Sequence, residues 1–222
     1  MGAVAVVALL AASQPSAMAS AIIAYQNPAG DYGNQPGGNW VVGLQFTVGS
    51  TPLSVTALGA FDNNQDGWTD PVSVEIYDFN SQTIVGSEVT FSGASGPSEG
   101  TLGYDGGSRF LSVTPFTLNA GVTYMVVAAG YGTDGEQNYN AAVAPPIGQG
   151  VPTLIQATPY ITVDNNYYTS GTSMVFPTTL DGGPDPRYAA GTFEFTLVPE
   201  PSTLALAGLG GLSLLLLRRQ KS

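Results

Sequence analysis

The residues best spaced for chemistry form one polar stretch, residues 62–70. Oxygen-bearing side chains occupy its first, third, fifth and ninth positions, and Gly67 occupies the sixth. Alternate oxygens can converge on a hard cation, and a glycine lets the chain turn sharply between them. The stretch therefore predicts a structural calcium site. Its ligands would be Asp62, Asn64, Asp66 and Asp70.

The same stretch departs from an EF-hand calcium loop in two ways. Its twelfth position is Ser73, where an EF-hand has a bidentate glutamate, and Pro71 does not allow an exit helix. We therefore expect a calcium loop between two strands, completed by Glu75, Asp134 or Glu136. A solvated turn of Asp, Asn and Gly residues is the alternative interpretation.

A second candidate site is aromatic, because many Trp and Tyr residues fall in or beside predicted loops. Loop aromatics on a rigid scaffold can stack on sugar rings, and neighbouring Asn and Asp side chains can bond sugar hydroxyls. The alternative is that these rings cover the ends of the fold and pack on loop prolines. The glycan hypothesis rests on Trp68, Tyr131, Tyr139, Tyr167 and Tyr168, within a wider set that adds Trp40, Tyr160 and Tyr188.

The composition argues against catalysis. The chain has no His and no Cys, which excludes Ser-His-Asp, Cys-His and histidine–zinc sites. Its single lysine, Lys221, lies next to the C-terminus. A glycosidase-like pair of carboxylates remains, but the many acidic residues single out no particular pair. We therefore predict no catalytic residues.

Alternation of apolar and polar residues, without a helical period, dominates residues 20–198. Short alternating runs separated by Gly, Asn, Asp and Pro clusters indicate one antiparallel β-sandwich domain, all-β and jelly-roll-like, with an immunoglobulin-like strand order as the alternative. Residues 130–190 are interpreted as long loops of the same domain. The predicted strands cover residues 41–48, 53–57, 72–76, 85–91, 109–118, 124–129 and 193–197.

One turn within this domain has its own signature. Residues 118–124, Leu-Asn-Ala-Gly-Val-Thr-Tyr, resemble the turn-then-strand unit of bacterial surface β-sandwich modules. The resemblance implies fold alone. It predicts a tight turn from Asn119 to Gly121, where a glycine tolerates positive φ.

The N-terminus predicts a secretory signal peptide over residues 1–19. An apolar run over residues 3–12 precedes Ala17-Met18-Ala19, which fits the small-residue cleavage rule. The positive charge that normally begins such a signal is missing from Met1-Gly2. A buried N-terminal strand is the alternative.

The last part of the chain, residues 199–222, has three segments in order. Pro199, Glu200 and Pro201 form a rigid motif, and residues 202–217 form an uncharged apolar run. This run predicts a single transmembrane helix of roughly 24 Å, and snorkelling basic side chains bring it toward the bilayer core of about 30 Å. The basic end, residues 218–221, supplies Arg218, Arg219 and Lys221.

This three-part tail resembles the PEP-CTERM sorting signal of Gram-negative bacteria. The resemblance covers only the tail. It implies an inner-membrane anchor, cleavage near the Pro-Glu-Pro motif by an exosortase, which is a transpeptidase-like membrane protease, and release to the cell surface or extracellular matrix, as in a biofilm. An ordinary single-span anchor is the alternative.

Charge narrows the range of partners. Sixteen acidic residues face five basic ones, three of which lie in the tail, so residues 20–198 are strongly acidic. Nucleic acids and anionic membrane surfaces need a basic face and are not expected as partners, whereas divalent cations are compatible. We expect an exported, non-catalytic surface or matrix protein, stabilised by calcium if the site forms. A carbohydrate-binding module for exopolysaccharide is the alternative, and a glycan-active enzyme is a distant one.

Overall fold

The computed structural model describes residues 20–26, 33, 35, 39–63, 65–94, 96, 98–99, 106–132, 137–140, 155–182 and 187–198. The signal peptide predicted over residues 1–19, the tail over residues 199–222 and Asn64 lie outside these residues. All regular elements of the described part are β-strands. None of the described residues forms a helix with the length and apolar character needed to cross a membrane.

The strands are numbered in chain order and vary from two to thirteen residues in length. They are β1 (Ile22–Ile23), β2 (Tyr25–Gln26), β3 (Trp40–Val48), β4 (Leu53–Asn63), β5 (Trp68–Asp78), β6 (Thr83–Gly93), β7 (Ser98–Glu99), β8 (Gly106–Leu118), β9 (Thr123–Tyr131), β10 (Tyr139–Asn140), β11 (Ile155–Gln156), β12 (Ile161–Ser170), β13 (Thr179–Asp181), β14 (Tyr188–Ala189) and β15 (Gly191–Leu197).

Two antiparallel sheets form the body. One has five strands in the order β1-β15-β4-β8-β7, and the other has six in the order β13-β12-β3-β9-β5-β6. Two short ribbons, β2–β11 and β10–β14, complete the described strands. Buried side chains from both sheets share one core, among them Phe46 and Val126 of the six-stranded sheet and Phe193 of the other. This is the arrangement of a β-sandwich. A jelly roll has eight strands, whereas the two main sheets here have eleven. A jelly-roll strand order therefore stays a prediction.

The alternation in β5 shows why these residues form a sheet. Val72, Val74 and Ile76 are fully buried in the shared core, while the residues between them face the other side. This matches the prediction. The seven predicted strands are β3, β4, β5, β6, β8, β9 and β15, and all are confirmed.

The six-stranded sheet also buries part of its outer face. A second cluster there joins Val41, Tyr77, Met125, Val127 and Ala129. Residues 171–178 continue from β12 across this face and pack Met174 and Phe176 against the cluster. Apolar residues on both faces explain why β9 reads as a continuous apolar run instead of an alternating one.

The interpretation of residues 130–190 as long loops is wrong for Ile161–Ser170. This segment, β12, is a ten-residue strand that pairs with β3 on one side and β13 on the other. Its polar run Asp164-Asn165-Asn166 hides the alternation, and the pairing register shifts between Val163 and Asn165. The middle of the chain therefore contributes an internal strand of the larger sheet.

The predicted turn at Asn119 to Gly121 is confirmed. It joins β8 to β9, and Gly121 has a positive φ of 71°. The Gly121 N–H donates to the Val48 carbonyl at 3.0 Å, and the Asn119 N–H donates to the Tyr124 hydroxyl at 2.9 Å. The turn is thereby fixed to the neighbouring strand.

The two ends of the sandwich are defined by β15. At the end that we call the tail end, Leu197 lies opposite Leu53, and the Val198 N–H donates to the Pro52 carbonyl at 3.1 Å. At the opposite end, which we call the distal end, the Tyr131 hydroxyl donates to the Ala190 carbonyl at 3.0 Å. The seven residues of β15 separate the two ends by about 20 Å, at about 3.3 Å per residue.

Candidate functional site

A cavity of about 270 Å³ opens at the distal end, and we call it the distal pocket. β3 brings Trp40 and Val42 to it, and β12 places Tyr168 directly opposite Val42. Because Val42 packs in the shared core, this is the inner face of the six-stranded sheet. The segment that leads into β15 forms another wall with Tyr188. The pocket thus lies between the edge of one sheet and the start of the strand that enters the other.

Two half-buried rings form its aromatic wall. The centroids of Trp40 and Tyr168 are 5.8 Å apart and their planes meet at 75°, an edge-to-face contact. Such a contact holds both rings in place and leaves part of their surface open to a ligand. Both residues also pack against the shared core, which makes the wall rigid.

The polar wall is a network around Asp181. This carboxylate accepts from the Arg187 guanidinium on one oxygen and from the Tyr188 hydroxyl on the other. The Arg187 Nε–H donates to Asn140 Oδ1 at 2.8 Å, and the Arg187 backbone N–H donates to Asn166 Oδ1 at 2.9 Å. The network fixes the side chains that face the cavity.

Electrostatically the pocket is close to neutral. Arg187 is paired with Asp181, and its guanidinium carbon lies 5.5 Å from the centre of the Tyr188 ring. Burial, and then the hydrogen bond to Asp181, raise the pKa of Tyr188, so its phenol stays protonated and donates. A ligand in the pocket therefore contacts an ion pair whose charges offset each other.

One buried polar atom of the pocket has no partner among the described residues. It is the side-chain oxygen of Gln35, which lines the cavity. A buried acceptor without a partner carries a cost that a donor from a ligand would remove. An aromatic wall beside a buried acceptor that has no partner among the described residues suits a neutral polyhydroxy compound, whose apolar ring face stacks while its hydroxyls donate.

The lining residues do not suit hydrolysis. Asp181 is the one carboxylate among the described lining residues, and glycoside hydrolysis requires two. Its oxygens are already bonded to Arg187 and Tyr188.

The structure separates the aromatic residues that the sequence grouped together. Tyr168 lines the distal pocket, whereas Tyr167 faces outward and packs on Phe79 at 5.6 Å between centroids. Consecutive residues of a strand point to opposite faces, which explains the split. Trp68 is 3 % exposed and Tyr131 is fully buried, so neither offers a ring face to a sugar. The side chain of Tyr139 lies outside the described part of the chain.

The remaining aromatics also divide. Trp40 and Tyr188, from the wider set, join Tyr168 in the pocket, and Tyr160 packs on Phe195 at the tail end. Sequence reasoning missed Gln35, Asp181 and Arg187. The sequence contains one signal for Arg187, since it is one of two basic residues in the acidic stretch 20–198.

Residues 62–70 include the end of β4 and the start of β5, with Gln65 to Gly67 between the two strands. Asp62 is fully buried, and its carboxylate accepts from the Arg109 Nε–H and from the Gly67 N–H, which is 3.1 Å from Oδ1. Arg109 also donates to the Gln65 carbonyl at 2.7 Å and to the Gly96 carbonyl at 3.3 Å. Burial raises the pKa of Asp62, while the hydrogen bonds from Arg109 and Gly67 lower it.

Gly67 is required at this turn. Its φ is +88°, and a Cβ at this position would lie 2.4 Å from the Gly93 carbonyl oxygen. The sequence predicted a sharp turn at this glycine, and that part of the prediction is confirmed.

The other predicted calcium ligands are dispersed. Asp66 is exposed, and Asp70 lines a separate cavity with Pro71 and Thr172. Among the described residues, no three acidic side chains lie close enough together to hold a metal ion. As arranged, Asp62 has an arginine where a cation would sit. Calcium binding stays a prediction, and these contacts do not favour it.

Comparison with known proteins identifies the tail. A family model described as the PEP-CTERM protein-sorting motif matches residues 197–220. The match includes Pro199, Glu200 and Pro201, the apolar run and most of the basic end, so the resemblance is confirmed. It supports an exported protein that is anchored in the membrane and then processed by an exosortase. A comparison with curated protein sequences found no match.

Proposed function

We propose that this chain is a non-catalytic protein of the cell surface or extracellular matrix, which an exosortase separates from its membrane anchor. The observation that carries the proposal is the PEP-CTERM motif over residues 197–220. The antiparallel all-β body and the absence of His and Cys from the sequence agree with a structural role outside the cell. Its acidic character disfavours nucleic acid as a partner.

The sorting step is tested by changing Pro199, Glu200 and Pro201 to alanine together. We expect the altered protein to stay full-length in the inner membrane, whereas Thr69→Ala, an exposed change in the body, should leave release unchanged. Normal release of the triple variant would refute the proposal. The destination is tested by fractionation, because a released protein found only in the medium would argue against a surface or matrix role.

The distal pocket supports a second function, recognition of exopolysaccharide. Its aromatic wall and the unpartnered side-chain oxygen of Gln35 suit a neutral sugar. Its place also suits this role. The tail leaves the body at Val198, so the pocket lies at the opposite end, about 20 Å away along β15, and would face away from the membrane before processing.

Neighbouring tyrosines provide a matched pair of variants for this second function. Tyr168 lines the pocket and Tyr167 faces outward from the same strand. We expect Tyr168→Ala to lower the retention of the released protein on exopolysaccharide from its host by about tenfold, or ~1.4 kcal/mol of binding free energy, because the variant loses one ring of the aromatic wall. Tyr167→Ala should leave retention unchanged. Equal retention of both variants would reject the pocket as the binding site.

A further inference from the structure

Only Val198 separates the last strand of the folded body from the sorting motif. β15 ends at Leu197, the Val198 N–H is still bonded to the Pro52 carbonyl at 3.1 Å, and Pro199 follows directly. The family match itself begins at residue 197, inside β15. The segment that an exosortase must recognise and the segment that completes the sheet therefore overlap.

A protease groove binds its substrate as an extended chain and uses the backbone N–H and C=O groups of that chain. In the folded body these residues are held beside β4, and the Val198 N–H is bonded to the Pro52 carbonyl. Thr196 lies opposite Ser54 and Leu197 opposite Leu53 in the antiparallel register. A chain that still lies against β4 cannot also be enclosed in a protease groove.

Phe195 sets a natural limit to how far the end of β15 can detach. It is fully buried, and its ring contacts Phe193 at 6.0 Å and Tyr160 at 5.9 Å between centroids. β1 pairs with β15 at Phe195 and Glu194 and extends no further toward the tail. Beyond Phe195, Thr196 and Leu197 are half-buried and are paired with β4 alone among the described strands.

We propose that the exosortase acts on a form in which residues 196–198 have detached from β4 while Phe195 stays in the core. The detachment of this short end, a local opening and not global unfolding, then limits the rate of processing. The folded body thereby controls its own release from the membrane. This inference rests on the proposed exosortase processing.

A cross-strand disulfide tests the proposal, since the chain has no cysteine of its own. Ser54 and Thr196 are half-buried register partners. Directly opposite residues of an antiparallel pair lie at Cα distances of about 4.5–5.5 Å, within the range that a disulfide spans. In the full-length Ser54→Cys/Thr196→Cys variant the oxidised form holds residue 196 on β4. In membranes that contain the exosortase, we expect the oxidised variant to be processed at least about tenfold more slowly than the wild type. Reduction of the disulfide should restore the wild-type rate.

The matched control places the same bond in the other sheet. Ser73 and Thr90 are register partners of β5 and β6 whose hydroxyl oxygens are 2.9 Å apart. The oxidised Ser73→Cys/Thr90→Cys variant should be processed at the wild-type rate. A wild-type rate for the oxidised Ser54→Cys/Thr196→Cys variant, or equal slowing of both variants, would overturn the proposal.

A spacer provides a second test that does not depend on the disulfide. Four Gly and Ser residues inserted between Val198 and Pro199 let the motif enter the protease while β15 stays paired. The insertion should speed processing of the wild type and restore it in the oxidised Ser54→Cys/Thr196→Cys variant. If the insertion changes neither rate, detachment of β15 is not the limiting step. Failure of exosortase processing itself would look different, because the unaltered protein would then remain uncut.

Discussion

Two aspartate–arginine pairs occur in the described part of the chain, and their surroundings differ. In the turn between β4 and β5, which connects the two sheets, Asp62 is fully buried and Arg109 bonds two backbone carbonyls, those of Gln65 and Gly96. In the distal pocket, Asp181 and Arg187 are 14 % and 18 % exposed, and their other partners are side chains that line or border a cavity. The first pair ties loops together, whereas the second shapes an opening.

An ion pair does not indicate function by itself. An arginine that pairs with a buried carboxylate and bonds two backbone carbonyls holds a turn together. A pair beside an open aromatic wall and an unpartnered acceptor leaves a surface that a ligand can use. The residues around the pair decide its role.

The largest effect is expected from breaking the Asp62–Arg109 pair. Arg109→Ala leaves the buried Asp62 carboxylate without a cation and removes two bonds to backbone carbonyls. Removing one partner of a buried pair costs about 3–5 kcal/mol of unfolding free energy. Urea denaturation of the released protein measures this loss. A change below about 1 kcal/mol, the usual worth of an exposed pair, would show that the pair is not structural.

The equivalent change in the distal pocket should cost less. Arg187→Ala leaves the Asp181 carboxylate, which is 14 % exposed whereas Asp62 is 0 % exposed, so water can replace the lost partner and we expect a loss of about 1–2 kcal/mol in the same urea experiment. Retention on exopolysaccharide should fall as well, because Asp181 and Tyr188 lose the group that holds them. A loss of stability equal to that of Arg109→Ala, with retention unchanged, would remove the distinction between the two pairs.

A buried carboxylate that lacks an arginine sharpens the comparison. Glu75 is 2 % exposed on the outer face of β5, where one oxygen accepts from the Tyr77 hydroxyl at 2.7 Å and the other has no partner among the described residues. Burial raises the pKa of Glu75 from its ordinary value of 4.5, with the negative charge of Glu88 adding to the rise and the Tyr77 bond opposing it. Tyr77 and Glu88 are the titratable groups that act on it.

The sign of the pH dependence follows from this shift. The folded protein binds the proton of Glu75 more tightly than the unfolded chain, so this stabilisation is complete below about pH 4.5 and is lost as pH rises through the folded pKa. We expect Glu75→Gln, which keeps the shape without the charge, to flatten this decrease. Thermal melts of wild type and variant from pH 4 to pH 8 measure it. Parallel curves would contradict the expectation.

The smallest effect is expected for calcium. Because Arg109 already pairs with Asp62, millimolar calcium added after EDTA should shift the melting temperature little. A bound ion at a hundred times its dissociation constant would raise it by about 5–10 °C. A shift of that size, abolished by Asp66→Ala, would establish the calcium site and show that the arginine can be displaced.

Much of the fold could be predicted from sequence because alternation directly reports which face of a strand is buried. Val72, Val74 and Ile76 carry that signal clearly. β12 does not, since Asn166 is a buried polar residue whose partner, the Arg187 backbone, lies 21 residues away. Its role depends on a tertiary contact that no local pattern contains.

The site was harder to predict for the same physical reason. Trp68 begins β5 and Tyr131 ends β9, and at strand ends the sequence does not reveal whether an aromatic ring turns inward or outward. The cation that meets Asp62 comes from Arg109, 47 residues away. The calcium-like spacing of residues 62–70 therefore predicts a metal site, because the sequence alone does not show that Arg109 pairs with Asp62.

The most direct test of the account is the intact mass of the protein released by its host. Processing at both ends should leave a chain that starts near Ser20 and ends near the Pro-Glu-Pro motif, without the apolar run and without Arg218, Arg219 and Lys221. Such a mass would establish both cleavages and identify the bond that the exosortase cuts. A released chain that still contains the basic end would contradict the account, since it would have left the membrane without processing.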